Sequence, residues 1–118
     1  MKRVLCLLLP LLVIGQAQAQ EVLRDKAEVE ALLAGATLHG VYLRTGSAYT
    51  LTFGADGVLA GEQNAGARWW ANEQGQYCRE WLSGPLAGNE ACMDVALSDG
   101  QILLFSNGRR VAEGILQR

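Results

Sequence analysis

Histidine is nearly missing from this 118-residue chain, with His39 the only one. A nucleophile relay would need His39 beside Ser47, Ser83, Ser98 or Ser106, and no spacing in the chain suggests such a pairing. His39 reads instead as an ordinary polar residue at a strand entrance. Cysteine is scarce too, and Cys78 and Cys92 have thirteen residues between them, so no C-x-x-C redox motif is present. A structural zinc site wants four ligands, more than these two cysteines and one histidine provide. Metal and cofactor are therefore not expected. There is no G-x-G-x-x-G running into a helix, no G-x-x-x-x-G-K-[ST] and no G-x-S-x-G elbow, which removes nucleotide-binding loops and the hydrolase turn. Basic clusters are missing as well. Beyond the first few residues the one adjacent basic pair is Arg109-Arg110, which reads as solvation of a turn, so nucleic acid and anionic membrane are not expected partners.

What is present begins with "MKRVLCLLLPLLVIGQAQAQ". Lys2 and Arg3 form a basic start, Val4–Ile14 is an apolar stretch broken only by Pro10, and Ala17 and Ala19 put small residues at a cleavage site. The apolar run is too short to cross about 30 Å of hydrocarbon as a helix. The pattern is that of a signal peptide over residues 1–19, with Cys6 leaving alongside it and a single periplasmic or secreted domain over 20–118. That domain has eight basic and twelve acidic side chains, a net charge of −4. Export leaves Cys78 and Cys92 as the only cysteines, in an oxidising compartment, and two cysteines allow one intramolecular pairing. A structural disulfide is expected. Closing a loop of about 15 residues contributes about 3 kcal/mol in the chain-entropy model, a useful addition to a small core.

Val22, Ala27, Val29, Leu32 and Leu33 recur near helical spacing, with Arg24, Asp25, Lys26, Glu28 and Glu30 on the other side. Asp25 followed by Glu28 has the form of a capping box and Gly35 that of a helix terminator, so one short amphipathic helix is predicted over 25–34. From Leu38 the texture changes to short runs separated by glycine-bearing turns: "TGS", "GADG", "NAG", "EQG", "SGPLAGN", "SDG" and "SNG". Between them the runs alternate with period two, as where Tyr49, Leu51 and Phe53 share a face. Eight strands are predicted, at 39–44, 48–53, 58–63, 67–72, 76–82, 90–97, 101–106 and 109–116. Such short gaps permit only antiparallel neighbours. The expected fold is mainly β (α+β), a short N-terminal helix packed on a seven- to eight-stranded antiparallel meander. The meander forms either a small barrel or a strongly curved sheet, with the helix over one mouth or face.

The strongest functional lead is "ARWWANEQGQYCREW", which gathers Trp69, Trp70, Tyr77 and Trp81 in one hairpin with Arg68 and Arg79 interleaved. Neighbouring residues on a strand point to opposite faces, so Trp69 and Trp70 cannot both lie in the core. Exposed tryptophan and arginine dominate binding hot spots, and the expected binding residues are Trp69, Trp70, Trp81, Arg79 and Tyr77. Tyr42, Tyr49 and Arg44 are placed to extend the patch from the first hairpin. The competing reading is cross-strand aromatic packing. Glu80 and Asp94, each two residues from a cysteine, form a candidate acid/base pair for a small hydrolase, against a solvated strand face as the alternative. No catalytic residue is assigned.

Across "LLAGATLHGVY", "GADGVLAG" and "ARWWANEQGQYCREW" the chain resembles a group of small exported bacterial proteins. They share a helix, an L-x-G-x-T-L-x-G entry to the first strand, a "DG" hairpin, a tryptophan strand and a cysteine pair. Here those pieces are Leu33, Gly35, Thr37, Leu38 and Gly40; Asp56-Gly57; Trp69 or Trp70; and Cys78 with Cys92. The resemblance implies export, the disulfide and the meander. Some of those proteins bear the name dihydrodipicolinate reductase, an activity for which this chain has neither dinucleotide fingerprint nor second domain. "ILLFSNGRRVAEG" also resembles the serine-glycine turn of periplasmic inhibitors of C-type lysozyme, matching at Ser106, Gly108 and Arg109, while Arg110 stands where those inhibitors carry an aromatic residue. The leading expectation is a non-enzymatic binding protein of the cell envelope, monomer or weak dimer, taking a protein or small molecule on its aromatic and arginine surface. Inhibition of a cell-wall enzyme through Ser106, Arg109 and Arg110 is the alternative.

Overall fold

The computed structural model describes residues 20–61 and 66–118. The expected signal peptide, residues 1–19, lies outside the described residues, as do the last two residues of the 58–63 strand and the start of the "NAG" turn. The elements run β1 (Glu21–Val22), α1 (Lys26–Leu33), β2 (Thr37–Tyr42), β3 (Ser47–Phe53), β4 (Val58–Gly61), β5 (Ala67–Ala71), β6 (Tyr77–Trp81), β7 (Glu90–Ser98), β8 (Gln101–Ser106) and β9 (Arg109–Gln117). The eight expected strands are all present, and the ends that fall within the described residues shift by no more than two residues. The two-residue β1 was not foreseen. Val22, read as part of the helical pattern, pairs instead with Ala96, while Glu21 pairs with Leu97. Two residues are too few to show a period, and here the partner strand decides the conformation.

Every pairing is antiparallel, and β2 to β9 close into an eight-stranded barrel. Successive strands pair in order around the ring, and β2 returns to β9 through the register from Thr37↔Gln117 to Tyr42↔Ala112. Closure pairs the first and last strands of the meander, β2 and β9, with each other. Turn chemistry sets the tight hairpins: Asp99 and Gly100 (φ 50° and 79°), like Asn107 and Gly108 (φ 53° and 80°), occupy the left-handed conformations that two-residue loops demand. A bulge between Leu104 and Phe105 shifts the β8–β9 register from Leu104↔Ala112 to Phe105↔Arg110.

The two ends of the barrel differ. Leu38, Leu51, Phe53, Leu59, Trp69, Val95, Ile102 and Leu104 fill the interior toward one end, and Leu23, Val29 and Leu33 join the same cluster from the segment that crosses it. Val29 and Leu33, four residues apart on α1, are fully buried. Asp25 stands at the N-cap with extended backbone, but its side chain makes no capping hydrogen bond, so the expected capping box does not form. The helix start is set by tertiary packing instead. The β5–β6 turn presses on the backbone of Arg24 and Asp25, and Lys26 pairs with Glu73 of that turn. At the other terminus Arg118 donates to the carbonyls of Ala31, Leu32 and Ala34, and Gly35 takes the left-handed position (φ 82°). Among the described residues no helix is long and apolar enough to cross a membrane.

Candidate functional site

Strand alternation divides the five residues read as one binding surface between two faces. On β5 and β6 the inward positions are Ala67, Trp69, Ala71, Tyr77, Arg79 and Trp81, and the outward ones are Arg68, Trp70, Cys78 and Glu80. Trp69 is core: it meets Phe53 edge-on at 5.4 Å between ring centroids, and its indole N–H donates to Gly54 O at 2.9 Å. Tyr77 is only 1% exposed and also meets Phe53 edge-on, at 5.3 Å. Trp70 is the outward member of the tryptophan pair. Arg68 lies over its ring at 4.4 Å and bonds Glu80 at 2.7 Å, so the cation on this face is already engaged.

Cys78 and Cys92 form the disulfide. They are opposite neighbours on β6 and β7, and on the next strand Trp70 pairs with Cys78. The carboxylates considered for acid/base work are separated. Glu80 lies opposite Glu90, and Asp94 is four residues further along β7, about 13 Å away at strand rise. Glycosidase-type pairs span about 5–9.5 Å. Asp94 instead accepts from Gln76 Nε2 at 3.1 Å. His39 is exposed on β2, and Gln117 Oε1 accepts from its Nε2 at 2.8 Å. Among the described residues no three His, Cys, Asp or Glu side chains are grouped to hold a metal ion. Ser106 and Arg109 flank the tight β8–β9 turn, while Arg110 lies over Phe105 at 5.8 Å and pairs with Glu113 at 3.4 Å.

The chemistry gathers inside, toward the end away from α1. That end carries the 43–46, 82–89 and 107–108 connections, and the last inward positions of the strands approaching it are Tyr42, Tyr49, Arg79 and Trp81. Tyr42 and Tyr49 stack at 4.2 Å with 20° between planes, and Arg79 lies 5.1 Å over Trp81. Burial, reinforced by neighbouring Tyr42 and partly offset by Arg79, holds the Tyr49 phenol well above its ordinary pKa. Burial does the same to Tyr77, again with Arg79 opposing it. Four buried polar atoms in this cluster have no hydrogen-bond partner among the described residues: Tyr49 Oη, Tyr77 Oη, Arg79 Nη1 and Trp81 Nε1.

Two glycines make the arrangement possible. Gly40 pairs with both Tyr49 and Gly114, and a Cβ on Gly40 would stand 2.9 Å from the Tyr49 ring. A Cβ on Gly114 would meet the backbone of Gly40 at 2.7 Å. The sequence places Gly40 in the L-x-G-x-T-L-x-G entry without giving it this role, and singles out Gly114 in no motif. The signal that could have found them is their position: glycine interrupting two predicted strands marks close approach of another group. A separate surface depression of about 410 Å³, lined by Leu32, Leu97, Ile102 and Leu116, lies at the α1 end and contains none of the candidate residues. Comparison with protein-family models, with curated proteins and with solved structures finds no match to this chain.

Proposed function

We propose that this is an exported, non-enzymatic binding domain that receives one small ligand at the end of its barrel away from α1. Arg79, Trp81, Tyr49 and Tyr77 hold the ligand, with Tyr42 at the rim. One observation carries the reading: four polar side-chain atoms are buried without a partner among the described residues. Each such group costs about 1–3 kcal/mol when left unpaired, and folded proteins keep few of them. A ligand with complementary atoms removes that cost. The inward direction of the cluster supports a ligand that fits an eight-stranded barrel over a protein docked on a flat patch. Export is read from the N-terminal pattern and is supported by the disulfide. The inhibitor reading of Ser106, Arg109 and Arg110 draws less support, because Arg110 is already engaged by Phe105 and Glu113.

The test is tryptophan fluorescence of the oxidised protein with iodide quenching, during titration with the small-molecule and macromolecular fractions of a cell-envelope extract. The small-molecule fraction is expected to change the emission, the response vanishing in Trp81→Phe and persisting in Trp70→Phe. A response only to the macromolecular fraction, or one lost in Trp70→Phe instead, defeats the reading and returns attention to the outer face.

A further inference from the structure

Within that small-ligand reading, we infer that the ligand is a small organic anion with a carboxylate-like head and a flat body, its head paired with Arg79. The first argument is charge. The ion pairs among the described residues are Lys26–Glu73, Arg68–Glu80 and Arg110–Glu113, and Arg79 is in none of them. The described acidic side chains nearest to it along the sheet are committed or turned outward: Glu80 is on Arg68, Asp94 is on Gln76 and Glu90 is exposed. A guanidinium with one nitrogen buried and no counter-charge among the described residues is costly, and an anion is what offsets it.

Hydrogen-bond type is the second argument. Arginine and the indole N–H can only donate, and each phenol, which also accepts, has a proton to give, so all four atoms, without a partner among the described residues, can donate to a ligand. The group that matches a donor set is rich in acceptors. The planar fork of arginine favours a planar two-oxygen head that it can grip at two points.

Shape is the third argument. The Trp81 ring, with Arg79 over it, and the stacked Tyr42–Tyr49 pair are flat aromatic groups at this end, and Tyr49 can lie over Gly40 because that strand position carries no side chain. A flat body stacks on such surfaces, whereas a bare inorganic anion leaves them unused.

The experiment follows the indole N–H resonance of Trp81 by NMR in the full domain, oxidised, against sodium benzoate, benzamide, sodium acetate and inorganic phosphate. Benzoate and benzamide share a shape and differ in charge; acetate and phosphate are anions without the flat body. Benzoate is expected to move the resonance with an affinity at least tenfold above the other three. Arg79→Gln should lose at least tenfold for benzoate and nothing for benzamide, at an unchanged or higher melting temperature. Benzamide binding as tightly as benzoate, or Arg79→Gln leaving benzoate unaffected, overturns the anion while the small-ligand reading stands. Phosphate or acetate binding as tightly as benzoate overturns the flat body and keeps the charge. No response to any of the four overturns the inference, and the envelope titration then decides separately whether a small-ligand site exists.

Discussion

Tyr49 and Tyr77 are phenols held inside a barrel without hydrogen-bond partners among the described residues, and burial raises both pKa values. A group whose folded pKa exceeds its unfolded value contributes stability that is intact below the unfolded pKa, about 10 for tyrosine, and lost as pH climbs toward the folded one. We predict normal stability to about pH 10 and a steady loss above it. In an alkaline titration two of the three tyrosines should stay un-ionised until the protein unfolds, their phenolate absorbance rising together with loss of tertiary signal. Early, reversible ionisation of all three in folded protein would contradict this. The same residues show where sequence reading stops. Alternation puts Trp69 and Trp70 on opposite faces but does not say which face is inside. Neither does it say that Tyr77 and Arg79, alternate residues of one strand, come near Tyr49 across the ring. That is a property of closure, not of any single strand.

The β5–β6 turn and α1 depend on each other. Gly75 is buried at φ 77°, and a Cβ there would fall 2.3 Å from Arg24 C and 2.5 Å from Asp25 N. Both clashes are with backbone, so a side chain cannot move aside to relieve them. Gly75→Ala should destabilise the fold by about 2–4 kcal/mol, through strain and through displacement of the helix start. Gly46→Ala is the control: the φ is similar at 74°, nothing lies within 4 Å, and the cost should be about 1–2 kcal/mol. Urea unfolding of the two variants checks the difference. This junction explains why the helix was legible and its cap was not. Apolar spacing at Val29, Leu32 and Leu33 reports burial, which the helix needs wherever it begins. Asp25 with Glu28 has the letters of a capping box, but the neighbouring turn holds the helix start, and a residue 50 positions away is invisible to local pattern. Strand positions survived the same test well because glycine-bearing turns fix them from within a few residues.

At the scale of the whole molecule, one covalent bond sits in a ring already closed by hydrogen bonds. The disulfide joins paired neighbours on β6 and β7 and spans 14 positions of chain. Its reduction should lower unfolding free energy by about 3 kcal/mol without opening the barrel. Far-ultraviolet circular dichroism of the reduced protein should match the oxidised one in buffer, and the urea midpoint should fall; loss of β signal on reduction alone would show the staple to be essential to the fold. The meander and its strand count were legible because each hairpin is local. Closure was not, since it depends on β2 meeting β9, and short turns say nothing about contacts between the first and last strands. That seam also imposes an order in time. Thr37 pairs with Gln117, eighty residues further on, so the ring cannot be sealed until nearly the whole chain is available. Each hairpin can form as soon as its own turn exists, whereas the seam waits for all of them and bears the largest loop-closure entropy. We predict that folding of this barrel is slow at its last step, in the millisecond-to-second range of non-local β proteins, which stopped-flow refolding would check. Gly40 and Gly114 meet at the seam, so the pairing that completes the ring is also the one that positions Tyr49. On that order the polar cluster is expected to be completed last.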